Sequence, residues 1–254
     1  MGEREPDMTD HLDTAAGRRI AYHRLEGEGT GVVFLGGLMS DMTGTKAVAL
    51  EQWAALQGRP FLRFDYSGHG QSSEAFEDGC IGDWAEDARE AIERLTEGPQ
   101  VLVGSSMGGW ISLLMCRRLP ARVAGLVTVA AAPDFTEDGF WAGFSDLERA
   151  KLMREGRIFV PSDYASPYPV TRRLIEDGRD HLVLRDPLAL PFPVRFLQGT
   201  EDSSVSVETA LRLFGHAKGG DIRLTLVKGA DHSFSTPDCL KTIEAAIFDV
   251  LARI

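Results

Sequence analysis

Residues Val101 to Trp110 read Val-Leu-Val-Gly-Ser-Ser-Met-Gly-Gly-Trp: an apolar strand, a Gly-x-Ser-x-Gly turn and the start of a helix. This pattern calls for a sharp strand-to-helix turn with serine at its apex, because the residues two positions to either side must be small enough for the chain to double back. Gly104 and Gly108 hold those positions around Ser106. Centring the pattern on Ser105 would demand glycine at Val103 and Met107, and neither is glycine. Ser106 is therefore the candidate nucleophile. A glycine-rich turn without chemistry is the rival reading, and residues elsewhere in the chain decide between the two.

Around this turn, short apolar runs alternate with segments of helical period, which predicts an α/β fold with a mostly parallel central sheet flanked by helices. The spacing predicts strands over 19–25, 32–35, 61–65, 101–104, 123–130, 194–198 and 222–227, and helices over 45–56, 82–95, 107–118, 207–215 and 237–253. The last helix is the clearest: Leu240, Ile243, Ile247 and Val250 recur at three- and four-residue steps, with Thr236 as N-cap and Pro237 at the first helical position. Between 133 and 191 the alternation gives way to a stretch rich in proline, aromatic and charged residues, with helical patterns only at 146–155 and 171–177. A loop that long is functional or has structure of its own. The expected organisation is thus a core of 1–132 and 192–254 with an inserted lid, 133–191. Phe140, Trp141, Phe144, Phe159, Tyr164 and Tyr168 of the lid either pack it onto the sheet or line an apolar acyl pocket.

A serine hydroxyl becomes a good nucleophile only when a base takes its proton and a third group orients that base. Downstream of Ser106 the histidines are His181, His216 and His232. His181 falls in the lid and His216 at a helix end, whereas His232 lies in Gly-Ala-Asp-His-Ser-Phe, a polar loop between the last strand and the last helix. His232 is the expected base. For the acid, Asp202 follows the strand at 194–198 in Gly-Thr-Glu-Asp-Ser-Ser-Val; Glu201 is its neighbour, Asp134 would be a different placement, and Asp231 reads as a loop residue bonding its own backbone. Two backbone N–H groups must also receive the oxyanion, one after the nucleophile and one after an early strand. Met107 and Leu38, the latter following Gly36-Gly37, are the candidates.

With these residues in the order serine, acid, histidine, the chain resembles the α/β-hydrolase superfamily along nearly its whole length. Three segments narrow the likeness: Gly44-Thr45-Lys46-Ala47, Arg63-Phe64-Asp65-Tyr66-Ser67-Gly68-His69-Gly70 and Gly104-Ser105-Ser106-Met107-Gly108-Gly109-Trp110. Together they are similar to the mycophenolic acid acyl-glucuronide esterase and palmitoyl-protein thioesterase family and its bacterial relatives. That resemblance implies Ser106, Asp202 and His232 as a catalytic triad and hydrolysis of acyl esters or thioesters without a cofactor. One departure from the wider superfamily is that Gly36-Gly37 stands where His-Gly is common, so a histidine that could order the oxyanion loop is missing.

Composition narrows the partners. A net charge of −11, from 27 basic and 38 acidic residues, opposes binding to nucleic acid or anionic membranes. No run approaches the roughly 18 apolar residues of a membrane span. The segment from Met1 to Pro6 has no signal-like apolar stretch, and Pro6 stands where a myristoylation site wants Ser or Thr. Three widely spaced cysteines, Cys80, Cys116 and Cys239, fit buried thiols in a reducing, cytoplasmic setting. No spacing suits a metal or a phosphate loop, so neither metal nor cofactor is expected. Asp83, Glu86, Asp87 and Glu90 read as a solvated helix face, His69 as structural, and Arg172-Arg173 as solvent-facing, with a weaker role as a cation for an acidic substrate.

The expected activity is that of a serine esterase or thioesterase acting on a small molecule or an acylated protein. The alternatives are carbon–carbon bond hydrolysis, acyl transfer or a lyase step on the same triad, or a ligand receptor that keeps the pocket without turnover. Dehalogenation is disfavoured because it needs a carboxylate where Ser106 stands.

Overall fold

Continuous apolar runs build the central sheet, because successive side chains point to its two faces and both faces are covered. In β3 (Val32–Leu35), Val33 and Leu35 pack to one side while Val32 and Phe34 pack to the other. The computed structural model describes residues 9–161 and 167–254; the expectations placed on Met1 to Pro6 and on Tyr164 lie outside them. The chain opens with β1 (Asp10–Asp13) and β2 (Arg19–Leu25) before β3, then continues through α1 (Thr45–Leu56), β4 (Phe61–Phe64), α2 (Ile81–Leu95), β5 (Gln100–Ser105), α3 (Met107–Arg118) and β6 (Val123–Val129). The segment 133–191 carries a π-type helix (Phe135–Trp141), α4 (Asp146–Glu155), β7 (Arg157–Val160), β8 (Tyr168–Thr171), α5 (Arg172–Arg179) and β9 (Leu188–Ala189). The chain closes with β10 (Val194–Gly199), α6 (Val207–His216), β11 (Ala217–Lys218), β12 (Ile222–Val227) and α7 (Pro237–Leu251).

Among the described residues, eight strands form the main sheet in the order β1-β2-β4-β3-β5-β6-β10-β12, with β2 alone running against the others. From β3 the chain steps to one side for β4 and to the other for β5. The loops after β3 and β5 therefore diverge and open a crevice at the carboxyl ends of the strands, where ligands bind in open α/β sheets. One apolar layer joins α1 and α7 to the sheet through Leu50, Ile243 and Ile247; the other joins α2, α3 and α6 through Trp84, Trp110 and Leu213. Within 133–191, Phe144, Leu152, Ile158, Val170 and Ile175 form a separate small cluster.

Several strand and helix ends differ from the periodicity by a residue, each for a local reason. β4 stops at Phe64 because Asp65 turns its carboxylate to the amides of Met42 and Gln71. β6 stops at Val129 because Ala130 takes a left-handed φ of 49°. The sequence reading missed β1, a polar run with three of four residues exposed that is held by its antiparallel pairing with β2 and by Leu12, which is buried in the core.

The carboxylate face of α2 requires a correction. Asp87 and Glu90 are buried rather than solvated. Asp87 accepts hydrogen bonds from the Ser67 amide and hydroxyl and from Arg18, and Glu90 accepts from the Ala15 amide and Arg94. These carboxylates pin the two loops that cross the helix, and burial is tolerated because nearby donors satisfy each of them.

Candidate active site

Ser106 caps α3 with φ 54° and ψ −118°, the strained left-handed geometry of a tight elbow. The flanking glycines are explained by what a side chain would strike. A Cβ on Gly104 would run into the Gly108 carbonyl and the Ser112 hydroxyl, and one on Gly108 would run into the carbonyls of Leu35 and Gly36. Close approach at Gly108 lets the end of β3 sit against the first turn of α3. It also brings the loop after β3 over Ser106, with Gly37 packed toward its Cβ. The turn is fastened by the Ser106 amide donating to the Val129 carbonyl (2.9 Å) and by the Gly109 amide donating to the Ser106 carbonyl (2.9 Å).

His232 and Asp202 reach the same place from two other strand ends. Asp231 accepts from the Phe234 amide and the Ser233 hydroxyl, both at 3.0 Å, which folds the loop after β12 into a turn that projects His232. The Nε2 of His232 lies 3.2 Å from the Ser106 Oγ, and its Nδ1 lies 2.9 and 3.0 Å from the two carboxylate oxygens of Asp202. The Asp202 side chain is fully buried and also accepts from the Ser204 and Val205 amides and the Gln198 side chain. Burial alone would raise its pKa. The hydrogen bonds from His232, Val205 and Gln198 outweigh that and hold it below the usual carboxylate range.

The competing acids and bases are occupied elsewhere. Glu201 is exposed, and its amide ties the two loops together by donating to the Ala230 carbonyl (3.0 Å). Asp134 is buried at the start of 133–191, where it accepts from the Val183 amide (2.7 Å) and the Leu184 amide (3.0 Å) and so joins the two ends of that segment. His181 faces Asp177, its carbonyl taking the Trp110 indole N–H at 3.0 Å, and the Nε2 of His216 donates to the Asp186 carbonyl. Arg172 pairs with Glu176, and Arg173 reaches across to Asp83.

The amides of Leu38 and Met107 both border the crevice, and neither has an acceptor among the described residues. Met107 is the first residue of α3, where helix geometry leaves the N–H unpaired. The loop that carries Leu38 has no histidine to order it, but it is gripped further along. Asp65 accepts the Met42 amide (2.6 Å) while Arg63 donates to the Met42 carbonyl (2.6 Å), and Arg63 is held in turn by Glu51 of α1 (2.7 Å). Sequence reasoning did not identify this support, although both side chains lie in a segment that carried the family likeness.

Ser106 opens onto a cavity of about 590 Å³. Leu38, Ala132, Phe135, Phe140 and Val205 give it apolar surface, while Ser40, Thr45, Lys46, Ser233 and Ser235 give it polar groups. Of the aromatic residues expected in the lid, Phe140 and Tyr168 line the cavity, whereas Phe144 packs in the separate cluster, Trp141 carries the guanidinium groups of Arg149 and Arg179 over its ring, and Phe159 is exposed. Phe135, which was not singled out, also lines it and packs edge-on against Trp110 at 5.5 Å. Lys46 was noted only as part of a motif, yet its ammonium donates to the Ser233 carbonyl at 2.5 Å. Burial lowers the pKa of Lys46, and nearby Asp231 offsets part of that.

Comparison with known proteins places this geometry. Residues 32–151 match the family model described as the alpha/beta hydrolase fold. The mitochondrial palmitoyl-protein thioesterase ABHD10 of Bos taurus is 32% identical over 240 residues, covering 92% of this chain and 77% of that protein. The crystal structure of an Agrobacterium vitis S4 protein assigned as a hydrolase superposes with a TM-score of 0.92 at 38% identity, covering 97% of this chain and 100% of that one. Alpha/beta hydrolase domain-containing protein 10 from mouse superposes with a TM-score of 0.89 at 29% identity, covering 96% and 98%. Likeness of this extent, in sequence as well as in backbone, means that the chain belongs to the α/β-hydrolase family, in the branch that includes ABHD10.

Proposed function

We propose that this hydrolase cleaves acyl thioesters and carboxylic esters through an acyl-enzyme on Ser106. The observation that carries the reading is the hydrogen-bonded chain from the Ser106 Oγ through His232 to the buried Asp202, opening onto a half-apolar cavity. The relatives named palmitoyl-protein thioesterase support acylated substrates. The three free, buried cysteines are consistent with a reducing compartment such as the cytoplasm.

In this mechanism the acyl chain lies against Phe135, Phe140 and Val205, with its carbonyl over Ser106. The Nε2 of His232 takes the serine proton as Oγ attacks, and Asp202 holds the imidazole by Nδ1–H and stabilises the imidazolium. Charge on the carbonyl oxygen is received by the N–H groups of Leu38 and Met107. His232 then returns the proton to the departing sulfur or oxygen, and water attacks the acyl-enzyme by the same steps.

Labelling with a fluorophosphonate tests the assignment, followed by competition from a panel of acyl thioesters, acyl glucuronides and simple esters. The expected adduct is on Ser106, and Ser106→Ala and His232→Ala each lose several orders of magnitude in turnover while staying folded. Loss of one oxyanion donor costs about 10²- to 10³-fold. A folded Ser106→Ala protein with undiminished esterase activity refutes the reading.

A further inference from the structure

We propose that Lys46 forms an oxyanion subsite in the crevice and selects substrates whose leaving group bears a carboxylate or a phosphate. The inference rests on the acyl-transfer reading above and adds the chemistry of the part that departs.

Among the described residues lining the cavity there is no carboxylate, and Lys46, with Asp231 nearby favouring its charged form, brings the positive charge, in a chain whose net charge is −11. The ammonium has three N–H donors. One goes to the Ser233 carbonyl, and the other two have no acceptor among the described residues. The bond to Ser233 fixes where the charge sits, because Ser233 directly follows His232, the residue that returns a proton to the leaving group. The cation therefore stands beside the loop that carries the leaving group's proton donor. Phe135 and Phe140, whose rings contact each other at 5.4 Å, give the same cavity an apolar surface for the acyl part. Ser235, whose hydroxyl donates to the same Ser233 carbonyl at 2.8 Å, and Thr45 add neutral hydroxyls beside the ammonium. An ammonium with spare donors in a half-buried pocket binds an oxyanion by charge-assisted hydrogen bonds, which are about twice as strong as neutral ones.

The test uses three octanoyl thioesters sharing one acyl chain: those of 3-mercaptopropionate (carboxylate), 4′-phosphopantetheine (phosphate) and N-acetylcysteamine (neutral). They are assayed with the wild type, Lys46→Met and Lys46→Arg. In Lys46→Met the ratio of kcat/KM for an anionic thioester to that for the neutral one is expected to fall about 10- to 100-fold. Lys46→Arg is expected to keep most of that ratio. The two anionic substrates show whether carboxylate or phosphate is preferred. A ratio unchanged in Lys46→Met overturns the proposal, whether both activities fall together, as they would if Lys46 only steadied the His232 loop, or neither falls. Calorimetric binding of the same thioesters to Ser106→Ala, with and without Lys46→Met, reads the subsite without turnover. If the wild type hydrolyses none of the three, the functional reading fails, and the binding preference alone supports or refutes the subsite.

Discussion

His69 makes a stringent test of how burial controls charge in this fold. Its ring is 4% exposed and lies edge-on to Tyr66, Phe76 and Trp84 at centroid distances of 5.7, 5.3 and 5.2 Å. Nδ1–H donates to the Ser67 carbonyl at 3.1 Å, and Nε2 is buried without a partner among the described residues. A proton added at Nε2 would thus be a buried donor with no acceptor. Burial lowers the His69 pKa to about 4, with the Ser67 hydrogen bond opposing the shift. In the unfolded chain the value is near 6.5. Because the folded state disfavours the proton, the stabilisation from neutral His69 is complete above pH 6.5 and is lost as pH falls toward 4. By linkage the loss is about 2 kcal/mol between pH 7.5 and pH 5, and about 3 kcal/mol by pH 4. Urea unfolding followed by tryptophan fluorescence at pH 7.5 and pH 5, in the wild type and His69→Phe, isolates this contribution, since every other titrating group is common to both. Phenylalanine suits the aromatic surround, and the Ser67 carbonyl keeps its bond from the Trp84 indole N–H (3.0 Å). The wild type is expected to lose about 2 kcal/mol more than the variant on acidification. Identical losses would refute the reasoning.

Two further substitutions probe how the site is held. Asp65→Asn puts an amide NH₂ where one of two backbone donors, Met42 or Gln71, needs an acceptor. It should cost about 1–3 kcal/mol in stability; if the grip on Met42 positions Leu38, kcat also falls with KM little changed, and steady-state kinetics beside a urea titration separates the two effects. Gly108→Ala drives a methyl into the Leu35 and Gly36 carbonyls and must push β3 from the elbow. The expected loss is about 1–3 kcal/mol in unfolding free energy, together with weaker fluorophosphonate labelling of Ser106 in protein that is still folded.

Legibility from sequence differed from one part of the molecule to another. Ser106 and its glycines could be read because the elbow is local: residues within four positions of each other collide or do not. The strands β2, β3 and β12 emerged with their observed ends because alternation and flanking turn residues act over a few positions. Asp202 and His232 followed from chain order and from lying after strands. Asp87 was misread, because an acidic residue on a helix gives no sign that Ser67 and Arg18, 20 and 69 positions away, will cover it. Phe135 and Lys46 were not recognised as cavity residues for the same reason: an aromatic in a long insertion and a lysine in a first helical turn are ordinary until the fold brings them to Trp110 and to the Ser233 carbonyl.

What the sequence determined by itself was what short-range sterics and periodicity can specify: a mostly parallel sheet, a serine elbow, and loops that carry a histidine and an aspartate. The tertiary structure alone decided that His232 and Ser106, 126 positions apart, stand at 3.2 Å, and that Asp202 is buried with its carboxylate shared among the histidine, its own loop and Gln198. It also decided that the loop bearing Leu38 is held by Arg63 and Asp65 rather than by a histidine, and that apolar side chains and the Lys46 ammonium line one crevice. The physical reason is range. Backbone strain and side-chain period are encoded within a few residues, whereas desolvation and charge pairing depend on which distant strand ends the sheet brings to one edge.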